Sequence, residues 1–155
     1  MKKQVVVILS ALLLTACADK NQYQEAVLAQ MQKEQQLQKE QGVKDYQIPV
    51  EELTNCVVDT SASKMPGVFA FDPARLTAYR NYTKMIAYRN YAKELVTTKT
   101  ADPKQALENA RKQLVTDFSS EQVLAEAMKN YAESLEGCYS AIISKSEDDE
   151  KAKQP

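Results

Sequence analysis

The sequence predicts an all-α protein, a small bundle of about four to five helices with one disulfide and a disordered C-terminal tail. Three observations predict it. Beyond the first segment glycines are few, at Gly42, Gly67 and Gly137, and no stretch alternates apolar and polar residues long enough to make a strand. Apolar residues in the later segments recur at spacings of three and four, as one face of a helix requires. Asp72-Pro73 and Asp102-Pro103 each supply an N-cap side chain followed by a proline whose missing N–H is harmless in a first turn.

The elements follow in order. Lys2 and Lys3 precede an apolar run over residues 5–14, the charged and apolar regions of a signal peptide, too short to be a spanning helix. The run ends at Leu14-Thr15-Ala16-Cys17, which resembles the lipobox of bacterial lipoproteins. That resemblance implies removal of residues 1–16 and acylation of Cys17, which becomes the lipidated N-terminus and makes the membrane a partner. In enterobacterial lipoproteins an aspartate directly after the cysteine favours the inner membrane. Here Ala18 follows and Asp19 comes one later, so the family rule places the chain at the outer membrane, facing the periplasm.

Residues 19–41 are Gln-rich, with an apolar stripe of Tyr23, Val27, Met31 and Leu37 and a stop at Gly42. The expectation is a lipid-anchored helical tether over residues 17–47, giving roughly 35 Å of reach at about 1.5 Å per residue. A coiled coil is the alternative, but the stripe is interrupted by glutamines and covers only about two heptads. The bundle is expected over residues 48–143. A short helix begins near Pro49 with Val50, Leu53 and Val57 on one side and Cys56 beside them, and residues 60–72 form the longest loop. Helices then start at Pro73 and Pro103, the second with a core face of Ala106, Leu107, Ala110, Leu114 and Phe118. Ser119 and Gln122 have capping-box spacing ahead of a last helix. Its seam is Leu124, Met128, Tyr131, Leu135, Cys138 and Ile142. Residues 144–155 are almost wholly polar and are expected to be a disordered tail.

Removing residues 1–16 from the 155 leaves 139, enough for one domain with a workable core. It also removes two lysines, leaving 18 cations against 21 acids, a net charge of −3 that gives no reason to expect nucleic acid. With Cys17 used for lipid, Cys56 and Cys138 form an even pair, expected to be a disulfide in an oxidising compartment. It would close a loop of 83 residues, counting both cysteines, worth about 4.5 kcal/mol in the chain-entropy model. The sequence has no histidine, so a His-containing catalytic triad is out of reach, and two cysteines do not close a zinc site. No metal or cofactor is expected.

Residues 78–95 read AYRNYTKMI AYRNYAKEL, one nonapeptide written almost twice. An offset of nine is about two and a half helical turns, so the copies face opposite ways. Either the helix is central and touched on several sides, or one copy lies in the core and the other meets a partner. The candidate partner-binding residues are Tyr79, Arg80, Tyr82, Tyr88, Arg89 and Tyr91, since tyrosine and arginine anchor interfaces. The apolar group Val68, Phe69, Ala70 and Phe71 is the rival site. Residues 73–93 carry five cations and no acid, to be neutralised either by Glu121, Glu126, Glu133 and Glu136 or by a partner.

Two stretches suggest catalysis. Ser61-Ala62-Ser63-Lys64 resembles the S-x-x-K motif of penicillin-binding proteins and class A β-lactamases, but the companion S-D-N and K-T-G motifs are absent. Glu133-Ser134 is similar to the catalytic Glu-Ser of lytic transglycosylases, whose glycine-rich motifs are missing. The sequence therefore predicts a noncatalytic binding or assembly component of the cell envelope with an envelope protein as partner. A pilotin-like secretion or pilus accessory lipoprotein and a cell-wall enzyme are the alternatives.

Overall fold

A computed structural model describes the backbone of residues 2–42, 48–97 and 102–152; the side chains of residues 2–17, 96–97 and 149–152 lie outside that description. Among these residues the chain forms five α-helices and no strand: α1 (Lys2–Glu40), α2 (Val50–Ser63), α3 (Pro73–Thr97), α4 (Pro103–Asp117) and α5 (Glu121–Ala152). The acylation expected at Cys17 and the fate of residues 1–16 concern side chains outside the described set.

Side-chain oxygens set three of the helix starts. Asp72 accepts from the Ala74 N–H at 2.9 Å ahead of α3, and Asp102 from the Gln105 N–H at 3.1 Å ahead of α4. For α5 the cap is Ser120, whose Oγ accepts from the Val123 N–H at 3.1 Å. Ser119, the expected cap, instead takes a positive φ of 69° and makes the turn out of α4.

Cross-helix contacts fix the register. Asp19, Lys33 and Glu34 of α1 meet Arg80, Glu94 and Lys93 of α3 at sequence offsets of 61, 61 and 59, so α1 and α3 run parallel. Lys20–Asp59 at 3.1 Å and Gln24–Asn55 at 2.7 Å set α2 antiparallel to α1. α5 runs antiparallel to α2, with Lys64–Glu133 and Lys145–Glu52 at either end. A Cys56–Cys138 disulfide joins these two helices, their Cα atoms 5.8 Å apart.

The core corrects the organisation read from sequence. The Gln-rich segment is no tether: Tyr23 and Val27 are fully buried and Met31 is 5% exposed, in one cluster with Leu53, Val57, Tyr82, Met85, Ile86 and Tyr131. Burying three large apolar side chains at about 1.5–3 kcal/mol each outweighs the polarity of the glutamines around them. One of those glutamines is itself core, since Gln30 is 1% exposed and its side-chain carbonyl accepts from the Tyr131 hydroxyl at 3.3 Å. α2 continues to Ser63, taking in the first four residues of the expected loop. The polar stretch from Ser144 continues α5 as helix to Ala152, while residues 153–155 lie outside the described residues.

Candidate functional site

The nonapeptide copies are treated differently by the fold. Tyr79 and Tyr82 of the first copy are 5% and 4% exposed, with ring centroids 6.1 and 5.7 Å from that of Tyr23. They belong to the core, which withdraws them from the expected surface. Arg80 is exposed but held by the buried Asp19 at 2.9 Å. In the second copy Tyr88 is half-buried, and Arg89 lies over the Tyr131 ring, 5.3 Å from its centroid. Tyr91 is 39% exposed.

Tyr88 and Tyr91 share a cleft of about 440 Å³ between α3 and α4 with Lys84, Ala87, Ala110, Gln113 and Leu114. α4 contributes one buried residue, Leu114, so most of its surface remains outside the core. Within the cleft Lys84 binds Asp117 at 2.8 Å, leaving an apolar floor with aromatic rims.

Three of the five cations of α3 pair with acids, none of them on α5. Arg80 pairs with Asp19, Lys84 with Asp117 and Lys93 with Glu34. Arg75 donates to three backbone carbonyls, those of Ala62, Pro66 and Gly67. On α5, Glu121 holds Arg111 and Glu133 holds Lys64 and Lys129. Burial pushes the Glu34 carboxyl up, but hydrogen bonds from Lys93 and Gln30 more than offset it and hold it below the usual carboxylate range.

The most exposed apolar residues lie elsewhere. Between α2 and α3, Val68 is 91%, Phe69 60% and Phe71 49% exposed. This loop is rigidly built: Asp72 accepts from the Val68 N–H at 3.1 Å, the Asp72 N–H bonds the Phe69 carbonyl at 3.0 Å, and Arg75 ties down the Pro66 and Gly67 carbonyls. Gly67 makes the turn with φ +98°, where a Cβ would stand 2.8 Å from Arg75 Cβ. A cleft of about 560 Å³ beside the loop is lined on its apolar side by Met65, Ala74, Ala78, Phe118, Val123 and Ala127.

The two catalytic resemblances meet other duties. Ser61, at the end of α2 and not in a loop, is fully buried, with Oγ 2.8 Å from the Tyr23 hydroxyl and donating to the Val58 carbonyl at 3.2 Å. Lys64, its expected partner, reaches Glu133 at 3.1 Å. The Lys64 hydrogen bond holds the Glu133 carboxyl below its usual range, opposite to the rise a general acid needs. Ser134 is buried and donates to the Asn130 carbonyl at 2.7 Å.

Sequence reasoning passed over Asn130. Its amide donates to the Ser61 carbonyl at 3.0 Å and the Tyr82 hydroxyl at 2.8 Å, linking α5 to α2 and α3 inside the core. Its position one residue before Tyr131, beside the apolar seam, was the available signal. Burial raises the phenols of Tyr23, Tyr82 and Tyr131, so this network stays neutral.

Among the described residues no group of three or more Cys, Asp or Glu side chains is placed to hold a metal ion, and no helix is long and apolar enough to cross a membrane. Comparison with protein-family models, curated proteins and solved structures gives no match.

Proposed function

We propose that the chain is an acyl-anchored envelope lipoprotein that acts as a noncatalytic binding or assembly component, docking an envelope protein through the α3–α4 cleft. The observation that carries the reading is the asymmetry of the repeat. One copy gives its tyrosines to the core, while Tyr88 and Tyr91 of the other line an open apolar cleft. Aromatic side chains of this kind bring a large contact area and a polar tip at small entropic cost, as interface anchors do. Ala87 and Ala110 leave room on the two helices for close backbone approach, so the fitting occupant is an apolar helix of the partner.

The lipid supplies location. With α1 packed into the bundle from Asp19 to Met31, the anchor has no spacer and the domain works close against the membrane. The test is photo-crosslinking in cells from Tyr88 and Tyr91, with the buried Tyr79 and Tyr82 as internal comparators. A discrete intermolecular adduct from the second copy alone is expected; adducts confined to this chain from all four positions would remove the cleft as a docking site.

A further inference from the structure

We infer that the loop carrying Val68, Phe69 and Phe71 is a second membrane contact, dipping into the lipid interface and holding the bundle end-on to the bilayer. The inference rests on the reading of Cys17 as the lipidated terminus, and the helix register carries it from there. The steady offset of 59 to 61 between contacting residues of α1 and α3 sets residue 17 level with residues 76–78. α3 begins earlier, at Pro73, so the loop ahead of it stands past the acylation position by about 5–8 Å at 1.5 Å per residue. It stands past it on the membrane side, because α1 runs from residue 17 back into the bundle. That distance matches the depth, about 5–10 Å, at which interfacial apolar elements sit between headgroups and acyl chains.

The composition of this end agrees. Of the seven exposed large hydrophobic residues among those described, Val68, Phe69 and Phe71 are on the loop and Val123 lines the cleft beside it. Backbone polar groups are costly to bring into lipid unless they are bonded internally. Here the Val68 N–H, the Phe69 carbonyl and the Pro66 and Gly67 carbonyls are all bonded within the loop and its first helical turns, through Asp72 and Arg75. Rigidity also means little entropy is lost on insertion. Nearby cations are engaged: Lys20 with Asp59, Lys64 with Glu133, Arg80 with Asp19, and Arg75 with the Ala62, Pro66 and Gly67 carbonyls beside Asp72. Contact is therefore apolar in origin and insensitive to the anionic fraction of the lipid. An acyl chain alone leaves the domain free to swivel, and a second contact fixes which way the α3–α4 cleft faces.

The sequence contains no tryptophan, so a single introduced one reports without background. The experiment places the full acylated chain carrying Phe69→Trp in phosphatidylethanolamine vesicles, with and without phosphatidylglycerol and with lipids brominated along the acyl chain. Val68→Trp gives a second reporter, and Leu37→Trp, near the far end of α1, is the comparator. The expected result is a blue shift and loss of emission for Trp at 68 and 69, equal in both lipid mixtures, with the comparator unchanged. Unquenched emission at 68 and 69 from protein that floats with the vesicles would overturn the inference and leave the anchor standing. Quenching at all three positions would overturn the end-on orientation. Protein that lacks acyl mass and fails to float would defeat the anchor and this inference together.

Discussion

Asn130 shows what a single polar side chain does in this core. Its amide serves both the Ser61 carbonyl and the Tyr82 hydroxyl, so Asn130→Ala strips the buried Tyr82 hydroxyl of this partner and leaves the Ser61 carbonyl with the Lys64 N–H alone. The expected loss is about 2 kcal/mol in urea unfolding, against no measurable change for Asn55→Ala at the exposed Gln24 contact. Glu34 gives the pH dependence. Its carboxyl is lowered in the folded state, so its contribution is complete above the unfolded value of about 4.3 and disappears as pH falls through the lower folded value. Melting temperature should fall more steeply below about pH 4.5 in the native chain than in Glu34→Gln. At this scale the sequence was partly legible. Asp72 and Asp102 cap as their spacing predicts, because an Asx side chain before proline acts locally. Ser119 and Ser120 were indistinguishable, because which serine caps depends on where α4 ends and its turn bends. Ser61 and Lys64 have the spacing of a catalytic pair, yet tertiary packing buries one and sends the other to Glu133.

At the scale of elements, the first helix carries the largest revision. Tyr23, Val27 and Met31 form a stripe of spacing four that is visible in the sequence, but the glutamines between them suggested solvent on every side. The stripe is narrow because polar side chains flank it, Lys20 and Gln24 toward α2 and Asp19, Lys33 and Glu34 toward α3, and Gln30 extends it by bonding Tyr131. Val27→Asp separates the two descriptions. A free tether would tolerate it, whereas a packed α1 loses about 4 kcal/mol or more as an unpaired carboxylate is forced into the core. α4 stands at the other extreme, with Leu114 as its buried residue. Amide exchange should be faster in α4 than in the middle of α1 or α5, because few buried contacts oppose its opening. That looseness suits an element that forms one wall of the cleft proposed for docking. The repeat was legible as two opposed faces from the helical pitch alone. Which face turned inward was not, because that depends on where Tyr23 of α1 packs.

For the molecule as a whole, the all-α class and the Cys56–Cys138 disulfide were readable from glycine scarcity, helical spacing and cysteine parity, and the structure has both. The disulfide ties α2 to α5 across a separation of 82 residues. Replacing both cysteines by serine should lower stability by up to about 4.5 kcal/mol, measured by denaturant unfolding of the oxidised parent and the variant. For function the sequence offers expectations alone: a first segment that resembles an export signal, a cysteine placed as in a lipobox and tyrosines suited to contact. The account depends above all on the covalent state of Cys17. Mass spectrometry of the N-terminal peptide from protein extracted from membranes tests it most directly. The account predicts a chain beginning at Cys17 and carrying acyl mass; a chain retaining residues 1–16, or one beginning elsewhere with an unmodified Cys17, would contradict it.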